Sequence, residues 1–368
     1  MNLARYSRHL LIPEVGLEGQ QRLARARVLV VGAGGLGSPV LAYLAAAGVG
    51  RIGVIDDDVV DLTNLQRQIL YATDDIGKPK ALTAAEKLHA LNPQIAIDAL
   101  EVRFDAGNAR ELVRLYDVVV DGTDSFSTRY LLNDACVLEK RADVYGSIFR
   151  FDGQVSVFAT PGGPCYRCLY PEPPPALSVP TCAEGGVLGV LPGIVGTWQA
   201  SEVLKLLLGI GTPLIGRLAV IDALETRMRE FRIARDPACP ACGDAPSIVD
   251  VEERIDELRV VPRDEAEISA DALDAFWAEH PQARLLDVRE PHEAVLGSPP
   301  NAVAIPATQL EARMHELDTA GEFVVACRVG RKSLWAAQRL RDAGFGRIWH
   351  LEGGLLALAA RDADFDFF

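Results

Sequence analysis

An apolar strand running straight into a glycine turn constrains this chain more than any other feature. In RARVLVVGAGGLG, Gly32, Gly34, Gly35 and Gly37 fit G-x-G-x-x-G. The apolar run before the turn reads as a buried parallel strand, and PVLAYLAAAGV after it is built of good helix formers. RIGVIDDD then supplies a second strand ending in acids, with Asp56 19 residues beyond Gly37. A β-α-β unit of this kind requires a doubly wound parallel sheet. The glycines let the backbone approach phosphates, the helix N-terminus faces their charge, and Asp56 stands where a ribose hydroxyl is held.

The α/β alternation continues. IAIDALEVRF and YDVVVDGTD read as strands, with AGNARELVRL a helix between them and SFSTRYLLNDACVLEK a helix after them. ADVYGSIFRFDGQVSVFA is expected to be two strands joined by a turn at Asp152-Gly153. TWQASEVLKLLLG reads as a helix ending at a glycine cap, and GRLAVIDA as a late strand. After Cys242 the composition turns charged, and a smaller α/β unit follows: helix ALDAFWAEH, strands ARLLDV and EFVVAC, helix SLWAAQRLRDAG and strand RIWHL. The 368 residues exceed one ordinary core. We expect a nucleotide-binding domain over 1–245, a linker over 246–266 and a second α/β domain over 267–368.

A net charge of −14 argues against a general nucleic-acid binder. The N-terminal residues lack a signal-peptide h-region, and the most apolar stretch, GGVLGVLPGIVGTW, is too short and too broken to span a bilayer. A cytoplasmic location is therefore expected. There thiols stay reduced, so the odd count of seven cysteines points to metal ligands and reactive thiols.

The segment after Asp56 favours ATP over a dinucleotide. DLTNLQRQ brings in Asn64, Gln66 and Arg67, and GKPKA adds Lys80. A guanidinium fork and an ammonium suit a phosphoryl centre gaining negative charge. Asp124, in VVDGTD at a strand end, is placed to hold magnesium. The bland reading makes Arg67 and Lys80 solvated surface charges. An NAD-dependent oxidoreductase explains the glycine turn and Asp56 but leaves these two cations without work. GAGGLGS, DDDVVDLTNLQRQ, GKPKA and GTDS together resemble the adenylating domain of the ubiquitin-activating-enzyme-like superfamily. Within it the chain is similar to the molybdopterin-synthase and thiamine sulfur-carrier adenylyltransferases, over about residues 1 to 245. The resemblance implies that ATP activates the C-terminal Gly-Gly carboxylate of a small ubiquitin-like sulfur-carrier protein as an acyl adenylate. It further implies that Asp56 binds ribose, Arg67 and Lys80 hold phosphates, Asp124 assists Mg2+, and Arg8 in RYSRHL crosses a homodimer into the partner's ATP site. Where the family often has Asn, this chain has Ser125.

Two C-x-x-C pairs, Cys165/Cys168 and Cys239/Cys242, offer four thiolates for a closed zinc site. The 70 residues between the pairs exceed a zinc-ribbon spacing, so a redox C-x-x-C competes on spacing alone. The same family resemblance implies Zn2+, in a structural role. Cys182, in TCAEGGVLG beyond a proline-rich spacer, stands outside both pairs. A small buried cysteine is the alternative reading, and Cys136, inside an apolar helix, is taken as one of that kind. For Cys182 the resemblance to fused sulfurtransferases implies a thiol that attacks the carrier or receives sulfur.

In the second domain LLDVREPHE and VVACRVGRKS resemble the rhodanese-like sulfurtransferases, over about residues 267 to 368. Cys327 ends an apolar strand, and Arg328, Gly330, Arg331, Lys332 and Ser333 curve into a helix. Backbone N–H groups, the helix N-terminus and nearby cations are expected to lower the thiol pKa and stabilise a persulfide anion. Asp287 and Arg289 resemble the family's acid–base pair. Lys332 stands at the family's arginine position, and GSPPNA replaces the usual G-H-I-P-G-A. The whole is expected to be an adenylyltransferase and sulfurtransferase of the molybdopterin biosynthesis type. Its sulfur donor would be thiosulfate or a cysteine desulfurase persulfide, and its product a thiocarboxylate. The alternatives are adenylation alone with a silent, protein-binding rhodanese domain, and a non-catalytic zinc-stabilised interaction module.

Overall fold

The computed structural model describes residues 2–174, 185–252, 267–295 and 297–361. They divide into two compact units, one built from residues up to 173 and 185–252, the other holding residues 267–361. Among the described residues no helix is long and apolar enough to cross a membrane.

The first unit opens with α1 (Ser7–Leu10), α2 (Gly16–Arg25), β1 (Arg27–Val31), α3 (Gly37–Ala47) and β2 (Arg51–Ile55). It continues through α4 (Lys80–Leu91), β3 (Ala96–Leu100), α5 (Ala109–Arg114), β4 (Val118–Asp121), α6 (Phe126–Glu139), β5 (Ala142–Phe149) and β6 (Asp152–Phe158). The short α7 (Tyr166–Leu169), α8 (Leu191–Leu208), β7 (Arg217–Asp222) and the exposed edge strand β8 (Arg227–Arg232) close it. The sheet runs β3-β2-β1-β4-β5-β6-β7-β8, parallel from β3 to β5 and antiparallel beyond. Four of the five residues of β1 are buried, because helices cover both faces of a parallel sheet. α3 is apolar nearly all round, and its fully buried Leu41 and Leu44 each contribute roughly 2 kcal/mol. The strand order reverses between β1 and β4, and ligands of open α/β sheets bind at such a switch point.

Two expectations are corrected here. The turn between β5 and β6 is at Arg150-Phe151, not Asp152-Gly153, which pair in the ladder with Phe149 and Ile148. Gly153 serves packing instead: a Cβ there would lie 2.4 Å from the Val195 side chain of α8. That helix also begins at Leu191, six residues before Thr197, because Pro192 falls in its first turn, where no intrahelical N–H is needed. Its glycine cap is as expected, with Gly209 left-handed at φ 68°.

The second unit contains β9 (Glu267–Ile268), α9 (Leu273–Glu279), β10 (Arg284–Asp287), β11 (Val303–Ala304), α10 (Leu310–Arg313), β12 (Glu322–Ala326), α11 (Arg331–Asp342), β13 (Arg347–Leu351) and α12 (Gly354–Arg361). Its sheet, β11-β10-β12-β13-β9, is parallel throughout. Here the order reverses between β10 and β12, so the ends of these strands, Asp287 and Ala326, stand side by side at the switch point.

Candidate functional sites

At the first switch point the glycine turn is held by contacts no other residue permits. Gly32 has φ +91°, and a Cβ there would lie 2.7 Å from the Gly122 carbonyl oxygen. This brings the loop after β4 against the loop after β1. A Cβ on Gly37 would lie 2.0 Å from the Gly32 carbonyl oxygen, whereas one on Gly34 would meet only the Gln68 amide at 3.5 Å. Gly37 therefore closes the turn, and Gly34 leaves its outer face open. Gly35 lies against Pro192, with the Arg67 stem 3.7 Å from its Cβ position.

Asp56 follows β2 directly and accepts the N–H of Ala33 at 2.7 Å and of Asp58 at 2.9 Å. Burial pushes its carboxyl upward, opposed by Lys80 and these two N–H groups. Lys80, the first residue of α4, is buried and pairs with Asp58 at 2.8 Å. Half-buried Arg67 donates to the Thr63 carbonyl at 2.9 Å. Lys80, at 5% exposure, is not a solvated surface charge. Asn64 is half-buried, its amide 3.4 Å from the Thr63 hydroxyl and its backbone carbonyl accepting the Arg67 N–H at 3.0 Å. The Tyr71 hydroxyl reaches the carbonyls of Ala33, at 2.9 Å, and Lys80, at 3.3 Å, and so joins the glycine turn to the start of α4. Sequence reasoning missed Tyr71, Gln68 and Asp58; only the acid run around Asp58 signalled a partner for Lys80.

Asp124 is exposed three residues past β4. Its loop is fixed from below. Asp121 accepts the Thr123 N–H at 2.9 Å, and buried Arg129 donates to Asp121 at 2.9 Å and to the Thr123 carbonyl at 2.8 Å. Nothing in the sequence distinguished Arg129 from a surface arginine. Ser125, where the family often has Asn, N-caps α6. Arg8 is exposed on α1, and no hydrogen bond or ion pair among the described residues ties it to this cluster.

The four paired cysteines converge. Their Sγ atoms all lie within 4.8 Å of one another, with Cys165–Cys239 at 3.6 Å and Cys168–Cys242 at 3.3 Å. A tetrahedral ion with Zn–S bonds of about 2.3 Å sets its ligands about 3.8 Å apart, so the donor set fits zinc and leaves no open position. Burial and then the neighbouring sulfurs push Cys165 up, since ionising sulfurs at this spacing needs a cation among them. The short helix α7, which holds Cys168 and is preceded by Cys165, is docked on α6. Arg167 holds Asp134 through two bonds of 2.6 Å, and the Tyr166 N–H donates to Asn133 at 2.7 Å. Cys136 is fully buried, as expected. Cys182 lies outside the described residues.

In the second unit Cys327 follows β12 and is 1% exposed. The expected depression of its thiol pKa is corrected. Burial pushes the thiol up, and the Ser333 hydroxyl with the N–H groups of Ser333, Val329 and Gly330 only partly restores it. A sulfur so enclosed loses more hydration than those donors return. Asp287 and Arg289 form a buried bidentate pair, the shortest bond 2.7 Å, and Arg289 also donates to the carbonyls of Glu293 and Gly297. Lys332 does not offer a free charge to the loop. Its ammonium is 2.6 Å from the Glu293 carboxylate, which also accepts the Glu290 N–H.

A glycine-cradled nucleotide site at one switch point, a four-thiolate cluster, and a thiol cradle at a second switch point define a two-site group-transfer protein. The chain belongs to the ThiF family, whose model matches residues 6–241, and residues 269–361 match the rhodanese-like domain. It is 56% identical to a sulfur carrier protein adenylyltransferase of Thermus thermophilus, over 67% of this chain and 92% of that protein. Along almost its whole length it is similar to a probable adenylyltransferase/sulfurtransferase, MoeZ, of Mycobacterium tuberculosis: 44% identical over 97% of this chain and 93% of the other. A third relative is the adenylyltransferase and sulfurtransferase MOCS3 of Arabidopsis thaliana, 40% identical over 97% and 83%. In fold, the chain is similar to a crystal structure of E. coli MccB with MccA-N7isoASN, with a TM-score of 0.59 and 23% identity over 65% of this chain and 74% of that one.

Proposed function

We propose that this chain is an adenylyltransferase and sulfurtransferase acting on a small ubiquitin-like sulfur-carrier protein that ends in Gly-Gly. The observation that carries the reading is the presence, on one chain, of the β1/β4 nucleotide site and the Cys327 cradle, in a sequence similar along 97% of its length to a two-activity relative. That relationship favours the full reading over adenylation with a silent second domain. The adenylating domain is assigned to 1–245, the linker to 246–266 and the sulfur-carrying domain to 267–368.

In the first reaction the carrier carboxylate attacks the α-phosphorus of ATP, pyrophosphate leaves, and an acyl adenylate forms. Gly34 gives the phosphates an open approach to the backbone, and Asp56 takes the ribose. Arg67 and Lys80 answer the charge that develops on the phosphates. Lys80 would exchange its Asp58 partner for phosphate oxygens. Asp124 offers a carboxylate oxygen, the donor type that magnesium prefers, to an ion carried with the nucleotide. Arg8, exposed and without a partner in this site, suits donation across a homodimer. In the second reaction the terminal sulfur of a Cys327 persulfide attacks the acyl carbon and AMP leaves, giving an acyl disulfide between Cys327 and the carrier. A thiol then attacks the Cys327 sulfur, the thiocarboxylate leaves, and an external thiol reductant returns the resulting disulfide to thiols. The sulfur originates from thiosulfate or a cysteine desulfurase persulfide. Cys182 assists through a transient thioester or disulfide with the carrier. The chemistry belongs in the cytoplasm, where thiols stay reduced.

The test is the intact mass of a Gly-Gly carrier from the same organism after incubation with the chain, Mg-ATP, thiosulfate and a thiol reductant. Conversion of carboxylate to thiocarboxylate, lost with Cys327→Ala, is expected. Adenylate without thiocarboxylate, with every donor tried, would reduce the reading to adenylation alone.

A further inference from the structure

The loop that cradles Cys327 is held from behind by its own carbonyls. The Cys327 carbonyl accepts the Leu355 N–H at 2.8 Å, and the Arg328 carbonyl accepts the Leu356 N–H at 3.0 Å. Both donors are orphan N–H groups of the first turn of α12. The third hold is on Gly330, whose carbonyl accepts His350 Nε2 at 2.8 Å. Drawing these carbonyls backward turns the intervening N–H groups toward the sulfur.

Gly330 is crowded with donors. Besides His350, its carbonyl is reached by the Leu334 N–H at 3.1 Å and by the Ser333 hydroxyl at 3.0 Å. The same hydroxyl stands 3.4 Å from the Cys327 sulfur. A serine has one proton to donate and cannot serve both acceptors at full strength. A carbonyl has two lone pairs, and the Leu334 N–H and His350 fill them. A carbonyl oxygen only accepts, so Nε2 of His350 carries the hydrogen. His350 is buried, and its Nδ1 lies 3.4 Å from the Glu267 carboxylate, with Arg341 also acting on the ring.

We infer that His350 is a positioning residue for sulfur transfer: by saturating the Gly330 carbonyl it releases the Ser333 hydroxyl to donate to the sulfur of Cys327. The inference deepens the reading of Cys327 as the sulfur carrier and rests on it. Without the imidazole donor, the Ser333 proton turns back to Gly330, and the thiolate or persulfide anion loses one of its donors. The burial that already pushes this thiol up makes each remaining donor count.

The test is the pH midpoint of Cys327 labelling by iodoacetamide in the full zinc-loaded chain, followed peptide by peptide by mass spectrometry. The charged side chains of the loop, Arg328, Arg331 and Lys332, are left intact throughout. Loosening of the loop changes the labelling rate at every pH, whereas loss of a donor moves the midpoint. His350→Phe is expected to raise the midpoint by about one unit, a roughly tenfold loss of thiolate below it. His350→Gln, whose amide reaches toward the Nε2 position, should restore most of it. Ser333→Ala should shift the midpoint as far as His350→Phe, and the double variant no further than either. An unmoved midpoint in His350→Phe, or additive shifts in the double variant, overturns the inference. Should His350→Phe fail to fold, His350→Asn carries the same expectation, because its amide is too short to reach Gly330. Labelling needs no turnover, so a Cys327→Ala chain that still transfers sulfur would refute the carrier reading separately.

Discussion

The glycines of one motif should fail in different ways when each gains a methyl group. In Gly37→Ala the new Cβ would stand 2.0 Å from the Gly32 carbonyl oxygen and 2.9 Å from its carbon, both backbone atoms. An ordinary contact of about 3.5 Å requires the end of β1 and the start of α3 to part by about 1.5 Å. Gly32 resists, because its N–H is bonded to the Ile55 carbonyl at 2.8 Å and its Cα is wedged against Gly122. Overpacking of this severity costs about 3 kcal/mol, which in a unit of this size lowers Tm by about 6–12 °C. In Gly34→Ala the Cβ would meet only the Gln68 amide, at 3.5 Å, so the melting transition should move by less than about 2 °C. The methyl group would instead occupy the face open to phosphates, and the KM for ATP should rise about tenfold or more. Calorimetry of the full chain resolves the first unit's transition, with the second unit's as an internal control. Pyrophosphate exchange with the carrier reads the KM. A Gly37→Ala chain melting with the wild type, or a Gly34→Ala chain with unchanged KM and lowered Tm, would refute this division of roles.

Two further outcomes are expected. The purified chain should hold one zinc ion, lost in Cys239→Ser, and strong chelators should lower the melting transition of the first unit while sparing that of the second; full stability without metal would contradict a structural site. Glu139 is held down to about 2, first by its bond to Arg114 and then by Arg110, against the cost of burial. Its folded pKa lies below the unfolded value of about 4.3, so its stabilisation is complete above that value and is lost as pH falls toward 2. In Glu139→Gln the stability of the first unit should accordingly fall less steeply between about pH 5 and pH 2, as followed by urea denaturation.

Local pattern carried far in this chain. The run RVLVV, the spacing of Gly32 to Gly37 and the acid at Asp56 specify a strand, a turn and a carboxylate held against that turn, because each depends on neighbours a few residues away. Paired cysteines suggested a metal, and the stretch from Cys327 to Ser333 a thiol cradle, for the same reason. What the tertiary structure decided is pairing across distance. Gly153 reads locally as a turn, but α8 packs on its Cα, so the turn moved to Arg150-Phe151. Lys332 reads as a free cation near the cysteine, but Glu293, 39 residues earlier, answers its charge. The helix N-terminus and its N–H groups read as a device that lowers the Cys327 pKa. The depth of burial reverses the net direction, because desolvation depends on everything packed around the sulfur. His350 carried no signal at all: a lone histidine on an apolar strand gains a role only when the fold brings Gly330, 20 residues before it, to its ring. Sequence proximity determined which groups can form. Which of them are partnered, charged or shielded is a property of the packed interior, where chain-distant atoms set the dielectric and supply the hydrogen bonds.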